Sequence, residues 1–497
     1  METKTGQRFS SRLGMLLSVL GIAVGTGNIW RFPRIAAQNG GDEGAGAFLI
    51  AWILFLFLWS IPLIIAEYAL GRKSRKGVIG AFIRTAGPRF AWMGTFVAFV
   101  ATAIMFYYSV VAGWCVYYFF STVTQSLPTS VESATSIWDG FQSGGLPILF
   151  HAAAIGLGTM AVWKGVSSIE RVNRVLIPTL FLIVLICVVR AVTLPGSGAG
   201  LAFLFTPQFD LLLRPSLWLE ALTQNAWDTG AGWGLILTYG AYMQRQHGVV
   251  KNAYITGIGN NIISLLAATM IFATVFAVLG AEMPKSEVLG VMKSSGPAST
   301  GLTFIWMPQL FAKMEFGRTL AVLFFLGLAF AAFTSLISMI ELATRVLVDA
   351  GVRRTRAIAA VGIVGFILGV PSAMHLGFLG NQDFVWGVAL MISGAFVAAA
   401  VIRFGPERFI REVISTTDND WQVGTIWARL IKYAVPLQAT ILLVWWLYLS
   451  ASAYAPDTWY DPFEPYSVMT CLVQWGTAIA LFVVLNNWIV RRNVEIG

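Results

Sequence analysis

Apolar segments of about 20 residues, the length that carries an α-helix across a bilayer, alternate with short polar segments along the whole chain. The pattern predicts an all-α membrane protein whose polar segments are connections rather than further domains. Twelve spans are predicted, numbered here from the amino terminus: 13–37, 45–71, 91–124, 148–163, 170–191, 216–244, 253–281, 317–348, 357–371, 384–403, 430–450 and 466–490.

The distribution of basic residues predicts how the chain crosses the membrane. With the amino terminus inside, most of the 33 Lys and Arg fall in cytoplasmic segments, while the outer segments 125–147 and 451–465 contain none. This bias places both terminal segments, 1–12 and 491–497, in the cytoplasm. It also accounts for the net charge of +9 without a nucleic-acid partner. No Asn-x-Ser/Thr glycosylation acceptor occurs, which together with the short termini favours a prokaryotic inner membrane.

Composition and spacing argue against an enzyme. The chain is 57% hydrophobic and 11% charged, against about 25% charged in soluble domains. Its three Cys and three His are scattered, with neither the spacing of a metal cluster nor that of a nucleophile–base pair.

Two predicted spans contain unusually weak helical sequence. Gly21–Asn28 reads "GIAVGTGN" in span 1, and Trp227–Gly234 reads "WDTGAGWG" in span 6. The glycines could simply allow close helix packing. However, the two segments open two sets of five spans, and each has Asn or Asp beside it. Paired broken helices of this kind are typical of inverted-repeat transporters with a binding site at the membrane midplane.

Five motifs resemble the neurotransmitter:sodium symporter family. They are "AVGTGNIWRFP", the "NGG" after it, "YYSVVAGW", "GWGLILTYGAY" and "FAAFTSLIS", in family order over spans 1 to 8, with a further match at Asp383 in span 10. The resemblance implies a leucine-transporter (LeuT-type) 5+5 inverted repeat with unwound spans 1 and 6. The repeats would be 13–191 and 216–403, followed by two spans in 430–490. It also implies Na⁺-coupled amino-acid symport by alternating access.

The same resemblance implies two Na⁺ sites. The first, which also touches the substrate carboxylate, would use the Ala23 carbonyl, Asn28, Asp228 and Asn260. The second would use the carbonyls of Gly21, Val24 and Ala331 with the hydroxyls of Thr334 and Ser335. Without the family context, the Thr-Ser pair could simply bond back to its own helix.

The substrate expectations rest on Gly25 and Tyr108. Tyr108 resembles the tyrosine that holds the substrate carboxylate. Amine-transporting relatives have an aspartate where this chain has Gly25, so a substrate bringing its own carboxylate, an α-amino acid, is favoured. Apart from these two residues and Ala23, Asn28 and Asp228, the implied pocket wall comprises Ile104, Trp227, Gly230, Trp233, Leu336 and Met339. The tryptophans favour a hydrophobic side chain, while Gly230 opens space, so the size of the substrate stays open.

Two gates are implied. Arg31 and Asp383 resemble an outer ion pair above the site, with Trp227 as the lid. On the inner side, Arg8 or Lys4 would pair with Asp349, with Tyr242 on the same face.

Asp228 departs from the commonest family pattern, which has Ser or Thr there. In chloride-dependent relatives a Cl⁻ binds close by, held partly by residues that match Gln224, Asp228 and Ser264, and Trp52 matches a fourth, usually tyrosine. Two close anions repel strongly, so we expect the Asp228 carboxylate to replace Cl⁻ and transport to be chloride-independent. A carboxylate can also carry a proton back on the empty return step. The alternative is that Asp228 is only a Na⁺ ligand or a helix cap.

Two other functions stay open at this stage: a Na⁺-coupled transporter of a small amine or osmolyte, and an amino-acid sensor that does not transport. The sequence does not determine the amino acid, the Na⁺ stoichiometry or the oligomeric state.

Overall fold

The computed structural model describes residues 7–294, 300–417 and 419–494. Every regular element in these ranges is helical, as predicted, and no strand occurs among them. Spans 2, 3, 5 and 7–11 are single apolar stretches long enough to cross a membrane. Their bounds are Gly46–Ser74, Pro88–Thr124, Val166–Val192, Val249–Leu279, Gly317–Asp349, Arg354–Met374, Leu376–Phe404 and Thr425–Tyr454.

Of the other four spans, three are bent or broken and span 4 is a single shorter helix. Span 1 comprises Arg12–Ala23 and Thr26–Asn39 with a 47° bend between them, and span 12 comprises Val468–Val484 and Asn486–Val494 with a 58° bend. Span 4, Leu146–Val162, follows the helix Val131–Gln142 at 71°. Span 6 is divided into Pro215–Asp228 and Leu235–Gly240. Further helices between the spans are Val78–Thr85, Ser197–Phe205, Lys285–Lys293 and Leu302–Ala312.

The break in span 1 lies at Val24 and Gly25, within the predicted weak segment. Both residues leave the helical conformation, Val24 with a ψ of 88° and Gly25 with a ψ of −173°. The Gly25 N–H donates to Asn28 Oδ1 at 2.8 Å, so the second half of span 1 is capped by a side chain of its own first turn. The predicted unwinding is therefore confirmed.

The break in span 6 depends on three glycines. Gly230, Gly232 and Gly234 have φ values of +69°, +86° and +79°, which residues with a side chain rarely adopt. Glu67 of span 2 accepts hydrogen bonds from the N–H groups of Gly234 at 2.5 Å and Gly232 at 3.4 Å. This carboxylate, which the sequence analysis did not identify, gives the freed donors partners inside the membrane.

Helix packing brings the two breaks to the centre of the molecule. Spans 3 and 8 pack against each other more extensively than any other pair, and span 1 lies against spans 5, 7 and 8. A Cβ atom at Gly21 would lie 3.0 Å from Thr334 Cβ, so spans 1 and 8 touch just before the break. This packing places Tyr108 of span 3 and Ser335 of span 8 beside Gly25.

Candidate functional site

A cavity of about 840 Å³ reaches from the breaks in spans 1 and 6 to the face opposite the amino terminus. Its lining runs from Gly25 and Gly230 in the breaks to Gln38 and Tyr454 near the far ends of spans 1 and 11. The predicted substrate-contacting residues in its wall are Ala23, Gly25, Asn28, Ile104, Tyr108, Trp227, Asp228, Gly230, Trp233 and Met339.

Leu336 differs from its predicted place in the pocket wall. It is fully buried, is absent from the cavity lining, and its Cδ2 lies 3.6 Å from the position of a Cβ atom at Gly158 in span 4. The neighbouring Ser335 faces the break in span 1 instead. Successive residues of a helix point about 100° apart, and the rotation of span 8 turns Ser335 toward span 1 and Leu336 toward span 4.

Carbonyl oxygens converge where the first ion site was expected. The Asn260 Oδ1 position lies 3.0 Å from Ala23 O and 3.1 Å from Asp228 O, with no hydrogen between these acceptors. Acceptor oxygens held this close repel each other unless a hydrogen-bond donor or a cation lies between them. Either the Asn260 amide turns over and presents its NH₂ group to them, or a cation binds among them.

The contacts of Asn28 favour the cation. Asn28 Nδ2 donates to Asn260 Oδ1 and to Ser264 Oγ, both at 2.7 Å, and its Oδ1 accepts from the Gly25 N–H. These bonds fix the orientation of the Asn28 amide. A turned Asn260 would place its NH₂ group 2.7 Å from Asn28 Nδ2, donor against donor. The oxygens therefore fit a hard cation such as Na⁺.

Residues of the expected second ion site also lie together. Ser335 Oγ lies 3.4 Å from both Gly21 O and Ile22 O, so a side chain of span 8 reaches the carbonyls before the break. Thr334 Oγ1 donates to Ala331 O of its own helix at 3.0 Å, and Val24 lies in the break itself. The structure therefore brings the Ser335 hydroxyl to the span 1 carbonyls, whereas the Thr334 hydroxyl bonds back to its own helix.

Hydroxyl groups surround Gly25. A Cβ atom there would lie 3.0 Å from Ser335 Oγ and 3.4 Å from Tyr108 Oη. Tyr108 Oη lies 3.2 Å from Thr26 Oγ1 and accepts from the Thr26 N–H at 3.4 Å. Thr26 was not predicted as a site residue, although it lies inside the first quoted motif and opens the second half of span 1.

Asp228 lies against two of its three expected neighbours. Its Oδ2 accepts from Gln224 Nε2 at 3.2 Å and from Ser264 Oγ at 3.5 Å, while its buried Oδ1 has no hydrogen-bond partner within the described ranges. The third expected residue, Trp52, packs against Phe32 with ring centroids 4.4 Å apart and the rings tilted by 42°. Its indole nitrogen has no partner within those ranges either.

The outer gate residues line the cavity without touching each other. Arg31 and Asp383 both belong to its wall, yet they form no ion pair within 4.0 Å in the described part of the chain. The Arg31 guanidinium instead lies 4.7 Å from the ring centroid of Trp227. This side of the site is open.

The opposite side is closed by Phe9. Its ring is 1% exposed and packs edge-on against Tyr239 and Tyr242, and its N–H donates to Tyr242 O at 3.2 Å. Tyr242 Oη donates to Glu341 at 2.5 Å, and Glu341 forms an ion pair with Arg354 at 2.5 Å.

The inner ion pair differs from the expected one. Asp349 pairs with Arg345, one turn earlier on span 8, at 3.0 Å and accepts from the Gly77 N–H at 2.6 Å. It forms no ion pair with Arg8, and Lys4 lies outside the described residues. Arg345 is the partner of Asp349 because residues four apart lie on the same face of a helix. The sequence signal for the missed pair was Glu341 itself, an acid inside an apolar span.

Comparison with known proteins identifies the family. The model of the sodium:neurotransmitter symporter family matches residues 6–140 and 146–495. The chain belongs to this family.

Individual relatives agree. A sodium-dependent transporter of Bacillus subtilis (strain 168), YhdH, is 28% identical over 466 residues, which cover 89% of this chain and 98% of the relative. The sodium-dependent serotonin transporter of Drosophila melanogaster is 28% identical over 87% of this chain and 75% of its own length. The crystal structure of MhsT in complex with L-phenylalanine superimposes with a TM-score of 0.76 at 28% identity, covering 88% of this chain and 99% of that one.

The protein is therefore a sodium-dependent symporter that crosses the membrane several times. The family consists of transporters rather than enzymes. MhsT shares the LeuT-type fold, and a twelve-span count is consistent with the family.

We predict that the Glu341–Arg354 pair keeps the Phe9 side closed. Glu341→Gln leaves Arg354, whose side chain is 18% exposed, without a counter-ion, and stranding a mostly buried charge costs about 2 kcal/mol or more. Hydrogen exchange in residues 7–12 and 239–246 should become about 30-fold faster, the factor that corresponds to about 2 kcal/mol. Glu412→Gln, in the exposed pair with Arg408, is the matched control. Unchanged exchange in Glu341→Gln would contradict the prediction.

Proposed function

We propose that the protein couples Na⁺ to the symport of an α-amino acid by alternating access. The observation that carries this proposal is the position of Gly25. It lies between the hydroxyls of Tyr108 and Ser335, and its N–H donates to Ala23 O at 3.0 Å, the carbonyl that meets Asn260 at the first ion site. A substrate carboxylate at this point can meet a hydroxyl donor and a cation at once.

The backbone supports an anion at the same point. Thr26 begins the second half of span 1, and the first N–H groups of a helix lack partners within it and attract negative charge. The absence of a side chain at Gly25 leaves access to that helix end. A carboxylate oxygen here would complete the first ion shell, so each ligand would raise the affinity for the other.

The cavity wall supports a hydrophobic substrate side chain. Trp227, Trp233, Ile104 and Met339 line the cavity, and the Trp233 indole N–H donates to Ala226 O at 3.1 Å. Because that polar atom is already bonded within span 6, the ring offers the cavity mainly apolar surface. MhsT, the structural neighbour, was solved with L-phenylalanine.

Alternating access would open the two sides of the site in turn, and in this structure only one side is open. In the present conformation the cavity opens past Arg31 and Asp383, and Phe9 closes the other end. With both termini in the cytoplasm of an inner membrane, this is an outward-facing state. Closure would bring Arg31 and Asp383 together, while release would need Phe9 and span 1 to move. Ions at both sites would order the break in span 1 before closure.

The two alternatives make different demands. A small amine or osmolyte lacking a carboxylate needs an anion from the protein. Asp228 is an acid at the cavity wall, and one of its oxygens has no partner among the residues that the structure describes. A sensor needs binding without flux, so uptake into vesicles separates it from both transporters.

A ligand screen tests the amino-acid assignment. The melting temperature of the purified protein should rise with one or more of the twenty L-amino acids, and only in Na⁺. The decarboxylated analogue of each stabilising amino acid should fail, because it leaves the Tyr108 hydroxyl unpaired at a cost of about 1–3 kcal/mol. Equal stabilisation by an amino acid and its amine would exclude the proposed carboxylate site.

We further propose that Asp228 makes transport independent of chloride. A Cl⁻ beside Gln224 and Ser264 would lie a few ångströms from the Asp228 carboxylate, which those side chains already contact. Repulsion at that distance is about 4 kcal/mol at an effective dielectric constant of 20. Asp228 can also bind a proton after Na⁺ has left, which would give proton antiport on the return step.

Anion substitution tests this role of Asp228. Wild-type uptake should be equal in chloride and gluconate, whereas Asp228→Ser should require chloride, since it restores an uncharged hydroxyl in the anion site. Asp139→Ser, on an exposed outer helix, controls for the substitution. Either a chloride requirement in the wild type or equal activity of Asp228→Ser in both anions would refute the proposal.

A further inference from the structure

Tyr108 reaches the cavity with its hydroxyl oxygen between two hydroxyl side chains, Thr26 and Ser335. Two hydrogen bonds of this oxygen go to Thr26, one from the backbone N–H at 3.4 Å and one with the side-chain hydroxyl at 3.2 Å. Thr26 is 1% exposed and lines the cavity. Span 3 therefore meets the beginning of the second half of span 1 through the hydroxyl groups of Tyr108 and Thr26.

The break in span 1 explains why the Thr26 hydroxyl is available for this contact. Threonines inside an intact helix usually bond back to the carbonyl of the preceding turn. Thr95 and Thr102 of span 3 do so, donating to Ala91 O at 2.9 Å and Ala98 O at 2.8 Å. Thr26 opens a helix after a break, and its hydroxyl bonds across to Tyr108 instead.

The direction of these bonds determines where the phenolic proton points. A backbone N–H can only donate, so the Tyr108 oxygen is the acceptor from the Thr26 N–H. If the Thr26 hydroxyl donates as well, the oxygen receives two hydrogens and its own hydrogen must point elsewhere. A Cβ atom at Gly25 would lie 3.4 Å from that oxygen and 3.0 Å from Ser335 Oγ. Because glycine has no side chain, a ligand oxygen can occupy this space and take the phenolic proton in place of Ser335.

We propose that Thr26 is a positioning residue for the substrate carboxylate. Its hydroxyl and N–H hold the Tyr108 oxygen and turn the phenolic proton toward the carboxylate at Gly25. A hydroxyl that accepts one hydrogen bond donates a stronger one. The inference rests on the proposed amino-acid function and adds to it a residue that acts through Tyr108 rather than on the substrate directly.

The test compares Thr26→Val, which keeps the branched shape and replaces the hydroxyl with a methyl group, with Thr26→Ser, which keeps the hydroxyl. Each full-length variant is titrated in Na⁺ with each of the twenty L-amino acids. Losing one hydrogen bond to the group that binds the ligand should weaken binding about 3- to 10-fold in Thr26→Val, and Thr26→Ser should restore it. In uptake, KM should rise by the same factor with Vmax unchanged. Thr102→Val controls for the substitution on a hydroxyl that bonds its own helix.

A Tyr108→Phe background separates positioning from direct contact. If Thr26 acts through Tyr108, adding Thr26→Val there weakens binding no further. A full additional loss would overturn the positioning role, as would wild-type affinity in Thr26→Val or failure of Thr26→Ser to restore binding. If the wild type binds none of the twenty amino acids, the proposed function fails and takes this inference with it.

Discussion

A helix that unwinds inside a membrane must find a partner for every backbone group it frees, and the rest of this structure depends on how that demand is met. The freed N–H groups have protein partners: Asn28 accepts from Gly25, and Glu67 accepts from Gly232 and Gly234. The carbonyls of Ala23 and Asp228 instead face another acceptor, Asn260. These donors are therefore satisfied within the protein. Ala23 O also accepts from the Gly25 N–H at 3.0 Å, but its contact with Asn260 sets acceptor against acceptor, and this group of oxygens is what suits a cation.

This asymmetry connects ion binding to the conformation of the whole chain. The same few residues join span 1 to spans 3, 6, 7 and 8, so a cation that draws their oxygens together also sets the angle between the halves of spans 1 and 6. A ligand shifts the equilibrium between the outward-facing and inward-facing states only as far as its affinities for the two states differ. In our account the carboxylate supplies the further difference, because it adds an oxygen to the first ion shell.

Much of this arrangement could be predicted from the sequence. The spans follow from the length of the hydrophobic segments. The breaks follow from the glycines beside Asn28 and Asp228, because helix propensity depends on local sequence and each motif lies within one span. The contact of Glu67 with Gly234 was missed because it joins residues 167 positions apart, which no local pattern specifies. The contact of Glu341 with Arg354 was missed because it joins two different helices, spans 8 and 9, whose relative packing the sequence does not give. Leu336 differs from its expected place because the rotation of span 8 turns its side chain away from the cavity. Asp349 differs because Arg345, on the same helix, is its ion-pair partner.

The central claim is that Na⁺ binding at the broken helices drives the movement of an amino acid. The most direct measurement is uptake by proteoliposomes of an amino acid that stabilises the protein, with an inward Na⁺ gradient or with equal Na⁺ on both sides. The account predicts accumulation above the external concentration only with the gradient, and loss of that accumulation in Asn28→Ala. Equal uptake under the two conditions, or accumulation in Na⁺-free buffer, would contradict it.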